Sequence, residues 1–167
     1  MEKEDKRRVA GALRRLELLR KIRVHRLMGS LEMYPGQPRM MEYIHRHPGC
    51  TQRETALALD ITQASAAASL KRLEKAGFVK RRQDEKDSRR NCLFLTEKGL
   101  ERMLQGRSGM DRLDKEMMQG LTEKDMETLK ALCDKMFDNL ADETTRGLSI
   151  CRLHKEADGP ITIKEEI

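Results

Sequence analysis

The chain has 167 residues, of which 37% are charged and only 3% aromatic, with no tryptophan and a formal net charge of +6. That length suits one compact domain, or a small domain carrying long helices. The scarcity of aromatic residues excludes an aromatic sandwich core, and the bias towards Leu, Met, Ala, Glu, Lys and Arg favours helices.

The charge is unevenly spread. Residues 1–30 carry +6, residues 63–98 carry +5 and residues 110–167 carry −5. A basic centre with an acidic far end suits a protein that faces a polyanion on one side. No apolar run approaches the ~18 residues of a membrane span. The charged N-terminus does not read as a signal peptide, so a cytoplasmic protein is expected. Cys50, Cys92, Cys133 and Cys151 show no CxxC spacing and read as free thiols in a reducing compartment.

A first helix is expected over 5–30, where Val9, Leu13, Leu16, Leu19, Ile22 and Leu27 recur at roughly helical spacing. Tyr34, Pro35, Gly36, Gln37 and Pro38 break the pattern, and a second helix follows to about Arg46, ended by His47, Pro48 and Gly49. Thr51 and Glu54 have capping-box spacing. The short helix they open is expected to bury Thr55, Ala56 and Leu59, with Leu57 and Ala58 completing the face. Asp60 and Ile61 form a turn, and Thr62 caps the next helix, 62–76. Its inward stripe is Ala66, Leu70 and Leu73, and Gly77 supplies a left-handed stop. Strands are expected over 78–82 and 92–95, joined by a loop at 83–91. Further helices run over about 97–118 and from Thr122, where Asp125 holds the capping-box position. After Thr145 the pattern fades.

The order helix, turn, helix, strand, loop, strand over residues 51–96 is that of a winged helix-turn-helix. The chain is therefore read as mainly α with a small β-hairpin wing. With Ala66, Leu70 and Leu73 turned inward, the reading face of helix 62–76 carries Thr62, Gln63, Ala64, Ser65, Ala67, Ala68, Lys71 and Arg72, with Lys75 beyond. Gln63 can pair with adenine, and alanine methyls can touch thymine methyls. Side chains able to hydrogen-bond to base edges are few, so phosphate contacts and DNA shape are expected to carry more of the binding than usual. The candidate wing holds Lys86, Asp87, Ser88, Arg89 and Arg90, whose arginines suit a narrow minor groove. Its acids are read as pairing with and aiming those arginines.

Taken together, KRLEKAGFVKR, the DxxDxRR wing and LTEKG, preceded by HPGC and PGQPRMMEYI, resemble the core of the MarR family of bacterial winged helix-turn-helix transcriptional regulators. The resemblance is close from about Leu31 to Met103. It implies a triangular homodimer that binds double-stranded DNA at a pseudo-palindromic operator. The usual role is that of a repressor released by a small ligand, or in some members by oxidation or metal. Carried over, the wing acid is Asp87 and the wing arginine Arg89, with Arg90 beside it. Ser88 stands where arginine is frequent, and Ala67 and Ala68 stand where polar residues are common.

The organisation expected is an N-terminal dimerisation helix (1–33), the DNA-binding domain (34–98), C-terminal dimerisation helices (99–145) and a tail (146–167). Leu13 and Leu16 at one end, with Met126, Leu129, Cys133, Phe137 and Leu140 at the other, form stripes that a second copy would bury. Met28, Met33, Met40 and Met41 could line an adaptable pocket for a small hydrophobic or aromatic effector, although such a set more often fills a core.

His45, His47 and Cys50 are three potential metal ligands close together. They straddle a helix end, a proline and a glycine and lack a fourth ligand, so turn chemistry is preferred and no metal or cofactor is assigned. Cys50, near basic residues, is the best-placed thiol for a redox switch. A metal- or redox-responsive regulator of the same fold, or a winged-helix protein-interaction module without an operator, are the alternatives. There is no Gly-rich phosphate loop, GxSxG or HExxH, so no enzyme is expected.

Overall fold

The structure is a computed structural model that describes residues 3–34, 36–84, 90–148 and 152–153. The described chain falls into two compact units, residues 1–117 and 118–167. In the first, α1 (Lys3–Ser30), α2 (Gln37–Arg46), β1 (Cys50–Thr51), α3 (Gln52–Ala58), α4 (Gln63–Lys75), β2 (Val79–Gln83), β3 (Asn91–Leu95) and α5 (Glu97–Met117) follow in order. The fold is a winged helix-turn-helix, with a three-stranded antiparallel sheet of order β1-β3-β2. The hairpin register pairs Val79 with Leu95 and Gln83 with Asn91, and Asp84 N–H donates to the Arg90 carbonyl one step further out.

The helix-turn-helix forms through local signals. Glu54 N–H donates to Thr51 Oγ1, and Thr51 N–H donates back to the Glu54 carboxylate, which closes the expected capping box. Asp60 takes a φ of 52°, the left-handed conformation that short polar side chains tolerate, and turns the chain between α3 and α4. Thr62 Oγ1 accepts from Ser65 N–H and starts α4. Ala66, Leu70 and Leu73 are fully buried, as their spacing predicts. The expectation for Leu57 and Ala58 is corrected. Both are exposed, Leu57 to 70%, because a seven-residue helix has one inward face, which Thr55 and Ala56 occupy.

The core of this unit runs from α1 to α5. Met28, Leu31 and Met33 enter it from the end of α1, and Met103 from α5. Everything in α1 before Val24 whose burial is described is exposed, including Val9, Leu13, Leu16, Leu19 and Ile22.

α4 ends at Gly77, with φ 73°, and Phe78 N–H donates back to the Leu73 carbonyl. Thr96 then ties the start of α5 to this end of α4. Its hydroxyl donates to the Gly77 carbonyl at 2.6 Å and accepts from Gly99 N–H at 3.0 Å, while its own N–H donates to the Phe78 carbonyl. Lys98 Nζ caps the Ala76 carbonyl at 2.9 Å and lies over the Phe78 ring. A Cβ on Gly99 would stand 2.0 Å from the Phe78 carbonyl oxygen, and one on Gly109 would stand 2.6 Å from Leu27 Cδ1. Glycine spacing in α5 thus lets it lie against backbone at one point and against α1 at another.

The second unit contains α6 (Glu123–Leu140). Thr122 and Asp125 form its capping box, as expected. Met126, Leu129, Cys133, Phe137 and Leu140 are exposed along it. Beyond it, Asp142 accepts hydrogen bonds from the backbone and hydroxyls of Thr144 and Thr145, which hold its carboxyl down at about 2.

Two predictions follow from these contacts. Gly99→Ala forces backbone apart and is expected to destabilise by about 3 kcal/mol or more. Gly77→Ala meets no neighbour and is expected to lose only about 1–2 kcal/mol from its left-handed φ; urea unfolding of both variants ranks them. Glu54, Asp125 and Asp142 all have carboxyls held below their ordinary values, chiefly by hydrogen bonds from Thr51, Thr122 and Thr144 respectively. Their contribution is complete above the ordinary carboxylate range and is lost as pH falls through the lowered values, down to about 2 for Asp142. Thermal melts across acid pH should show this loss, and Glu54→Gln with Asp125→Asn should flatten it.

Candidate nucleic-acid interface

The residues left outward by the burial of Ala66, Leu70 and Leu73 define one side of α4. Gln63, Ala64, Ser65, Ala68, Lys71, Arg72 and Lys75 are exposed, as is the N-cap Thr62, and Ala67 is half-buried. This is the face expected from the sequence. Its polar groups are partly engaged. Thr62 Oγ1 donates to Ser65 Oγ at 2.9 Å, which ties both hydroxyls to the helix start. Arg72 stacks over the Tyr34 ring, 5.1 Å from its centroid, and so reaches back to the loop between α1 and α2. Lys71 and Lys75 are exposed cations on the same helix.

Of the wing residues, Lys86, Asp87, Ser88 and Arg89 lie outside the described residues. Arg90 is described, at the base of β3, and its Nη2 donates to Glu54 Oε1 on α3 at 3.1 Å. On the other strand, Arg81 forms an ion pair with Glu74 of α4 and donates to Gln52 Oε1 of α3 at 3.2 Å. Arg82 lies over the Phe94 ring, and Lys80 is exposed. Sequence reasoning missed both links. Glu54 was legible as a cap, but nothing in the spacing of residues 54 and 90, or 74 and 81, announces that they meet. β1 was missed too, because two residues become a strand only through their pairing with Leu93 and Cys92.

One expectation is corrected, and two alternatives find no support. Met28, Met33, Met40 and Met41 are 0–4% exposed and pack into the main core with Leu31 and Ile44, so they fill space instead of lining a groove. Cys50 is buried, with Sγ 3.5 Å from Thr55 Oγ1, and burial raises its thiol above the usual range, the reverse of what a reactive cysteine needs. His45 and His47 are exposed, and His47 stacks on Tyr43 instead of turning to Cys50. Among the described residues no group of three His, Cys, Asp or Glu side chains could hold a metal ion. No described helix is long and apolar enough to cross a membrane.

The likeness to known proteins agrees with this geometry. The profile of the MarR family matches residues 33–90, which run from within the α1–α2 connection to the residue before β3. The HTH-type transcriptional regulator BilQ of Clostridium symbiosum is 36% identical over 94 residues, covering 56% of this chain and 65% of that protein. The chain thus spans just under two thirds of that relative's length. Among solved structures, the S. aureus MepR–DNA complex superposes with a TM-score of 0.69 at 25% identity, over 79% of this chain and 99% of that one. S. aureus MepR bound to ethidium bromide superposes with a TM-score of 0.63, also at 25% identity, over 79% of this chain and 96% of that one. The fold is that of the winged helix-turn-helix neighbours, and over residues 33–90 the chain is similar to the MarR family, whose relatives and neighbours include transcriptional regulators.

Proposed function

We propose that the chain acts as a homodimeric repressor, binding a pseudo-palindromic operator through α4 and the wing and leaving it when a small ligand binds. The observation that carries the DNA-reading part is the exposed face of α4, with Gln63 and Ser65 in its first turn and Lys71 and Lys75 further along, opposite the buried Ala66, Leu70 and Leu73. Recognition helices contact base edges near their N-terminal turns, and later cations meet the backbone. Gln63, Ala64, Ser65, Ala67 and Ala68 are assigned to the major groove. Lys71, Arg72 and Lys75 are assigned to phosphates, and Arg89 to the minor groove. The MepR structure with DNA supports the same use of this fold.

Dimerisation is supported by two exposed apolar stripes, one on α1 with Leu13 and Leu16 and one on α6 with Met126, Leu129, Phe137 and Leu140. A soluble chain rarely leaves such stripes uncovered. A second copy would cover them and would set the two α4 helices roughly 34 Å apart, one turn of duplex. For the ligand, the described chain offers a cleft between α1 and α5 of about 260 Å³, lined by Arg23, Arg26, Leu27, Ser30, Gly109, Arg112, Leu113 and Glu116. Arg23 is paired with Glu116 at 2.7 Å, and the guanidinium groups of Arg26 and Arg112 beside two leucines suit a small anion with an apolar body. The bound ethidium of the MepR neighbour supports control by a small molecule as such, with a ligand of opposite charge.

Selection of bound duplexes from random DNA is expected to return paired half-sites one helical turn apart; a single unpaired site would contradict the dimer. Affinity for the selected duplex should fall steeply with salt, and Lys71→Ala with Lys75→Ala should lower the logarithmic salt slope by about 4, two contacts from each protomer. A salt-insensitive interaction would favour a protein-binding module instead. Leu13→Asp with Phe137→Asp should convert the dimer to monomer in light scattering and abolish tight binding.

A further inference from the structure

Glu54 does two jobs with one carboxylate. It closes the α3 capping box, taking Thr51 N–H at 2.6 Å and the Thr51 hydroxyl at 3.0 Å on Oε2. It also accepts Arg90 Nη2 at 3.1 Å on Oε1, across 36 residues of chain. Arg90 immediately precedes β3, and its carbonyl accepts from Asp84 N–H, so it belongs to the last described pairing of the hairpin stem. The stem is held on its other strand as well. Arg81 of β2 joins Glu74 of α4 and Gln52, the first residue of α3. Both strands of the wing stem are therefore fastened by arginines that point back to the helix-turn-helix.

The geometry points to Glu54 as the positioning residue of the wing: through Arg90 it sets the angle of the β2–β3 stem to the reading helix, and Arg90 serves this link instead of a phosphate. The inference rests on the DNA-reading function proposed above. Glu54 and Arg90 are both near half exposed, so their pair adds little to stability, and the fold does not need it. What it does supply is a fixed relation between two elements that must meet adjacent grooves together. The alternative is that Arg90 is a phosphate contact and Glu54 merely a cap. The two roles predict opposite signs. Removing a carboxylate from a DNA-facing lobe ordinarily strengthens binding to a polyanion. If Glu54 positions the wing, removing its charge weakens binding.

Glu54→Gln is the informative substitution, because glutamine keeps the capping-box geometry while the ion pair is lost. Glu54→Gln, Arg90→Gln and the double variant should be measured on the full chain against the selected duplex over a range of salt, with thermal melts as the folding control. The expected result is that each single variant binds about fivefold more weakly, that the double variant is no worse than either, and that the salt slope stays at the wild-type value. Tighter binding by Glu54→Gln, or a slope reduced by about 2 (one contact from each protomer) in Arg90→Gln, overturns the inference and makes Arg90 a phosphate contact. Weakening that tracks a lowered melting temperature, with additive effects in the double variant, also overturns it and leaves Glu54 a cap alone. Loss of salt-dependent DNA binding by the wild-type chain would instead overturn the function on which the inference rests.

Discussion

The Phe78 carbonyl approaches the first turn of α5 so closely that a side chain on Gly99 would collide with it. Around this approach three elements are tied by short hydrogen bonds: the end of α4 through Gly77 and Ala76, the start of β2 through Phe78, and the start of α5 through Thr96, Lys98 and Gly99. The reading helix cannot turn at its C-terminal end without carrying the wing strand and α5 with it. Gly109 repeats the device further along α5, where the missing side chain admits Leu27 of α1. α5 is thus fastened to the reading helix at one end and to the long N-terminal helix at the other.

What the sequence made legible follows from where the determining forces act. Capping boxes at Thr51 and Thr122, the left-handed stop at Gly77 and the Ala66–Leu70–Leu73 stripe are local, so spacing alone revealed them. The pocket reading of the methionines and the redox alternative at Cys50 lost support where burial decides the chemistry. Cys50 has basic residues near it in sequence, but in space it lies under α3 against Thr55. The methionines have the flexibility of a binding surface, yet their exposures show a filled core. Leu57 looked apolar enough to bury and finds no partner on a helix of seven residues.

The wing shows the limit most clearly. Its acids were read as partners for its arginines. Arg81 and Arg90 of the stem pair with Glu74 of α4 and Glu54 of α3, while residues 85–89 of the loop lie outside the described residues. These pairs join residues 7 and 36 positions apart in sequence, a range that a sequence window does not display. The same is true of β1, whose two residues count as a strand only because β3 lies beside them.

The alanines of α4 carry one more implication. Ala64 and Ala68 are exposed methyls on a helix whose stability comes from Leu70 and Leu73 on the opposite side and from its caps at Thr62 and Gly77. Exchanging them for longer side chains would leave the supporting contacts intact. Such a helix is a nearly blank surface on a finished scaffold, so new base preferences can be written onto it by single substitutions. Divergence between descendants of this chain could then proceed through the alanines while the frame that presents them stays fixed.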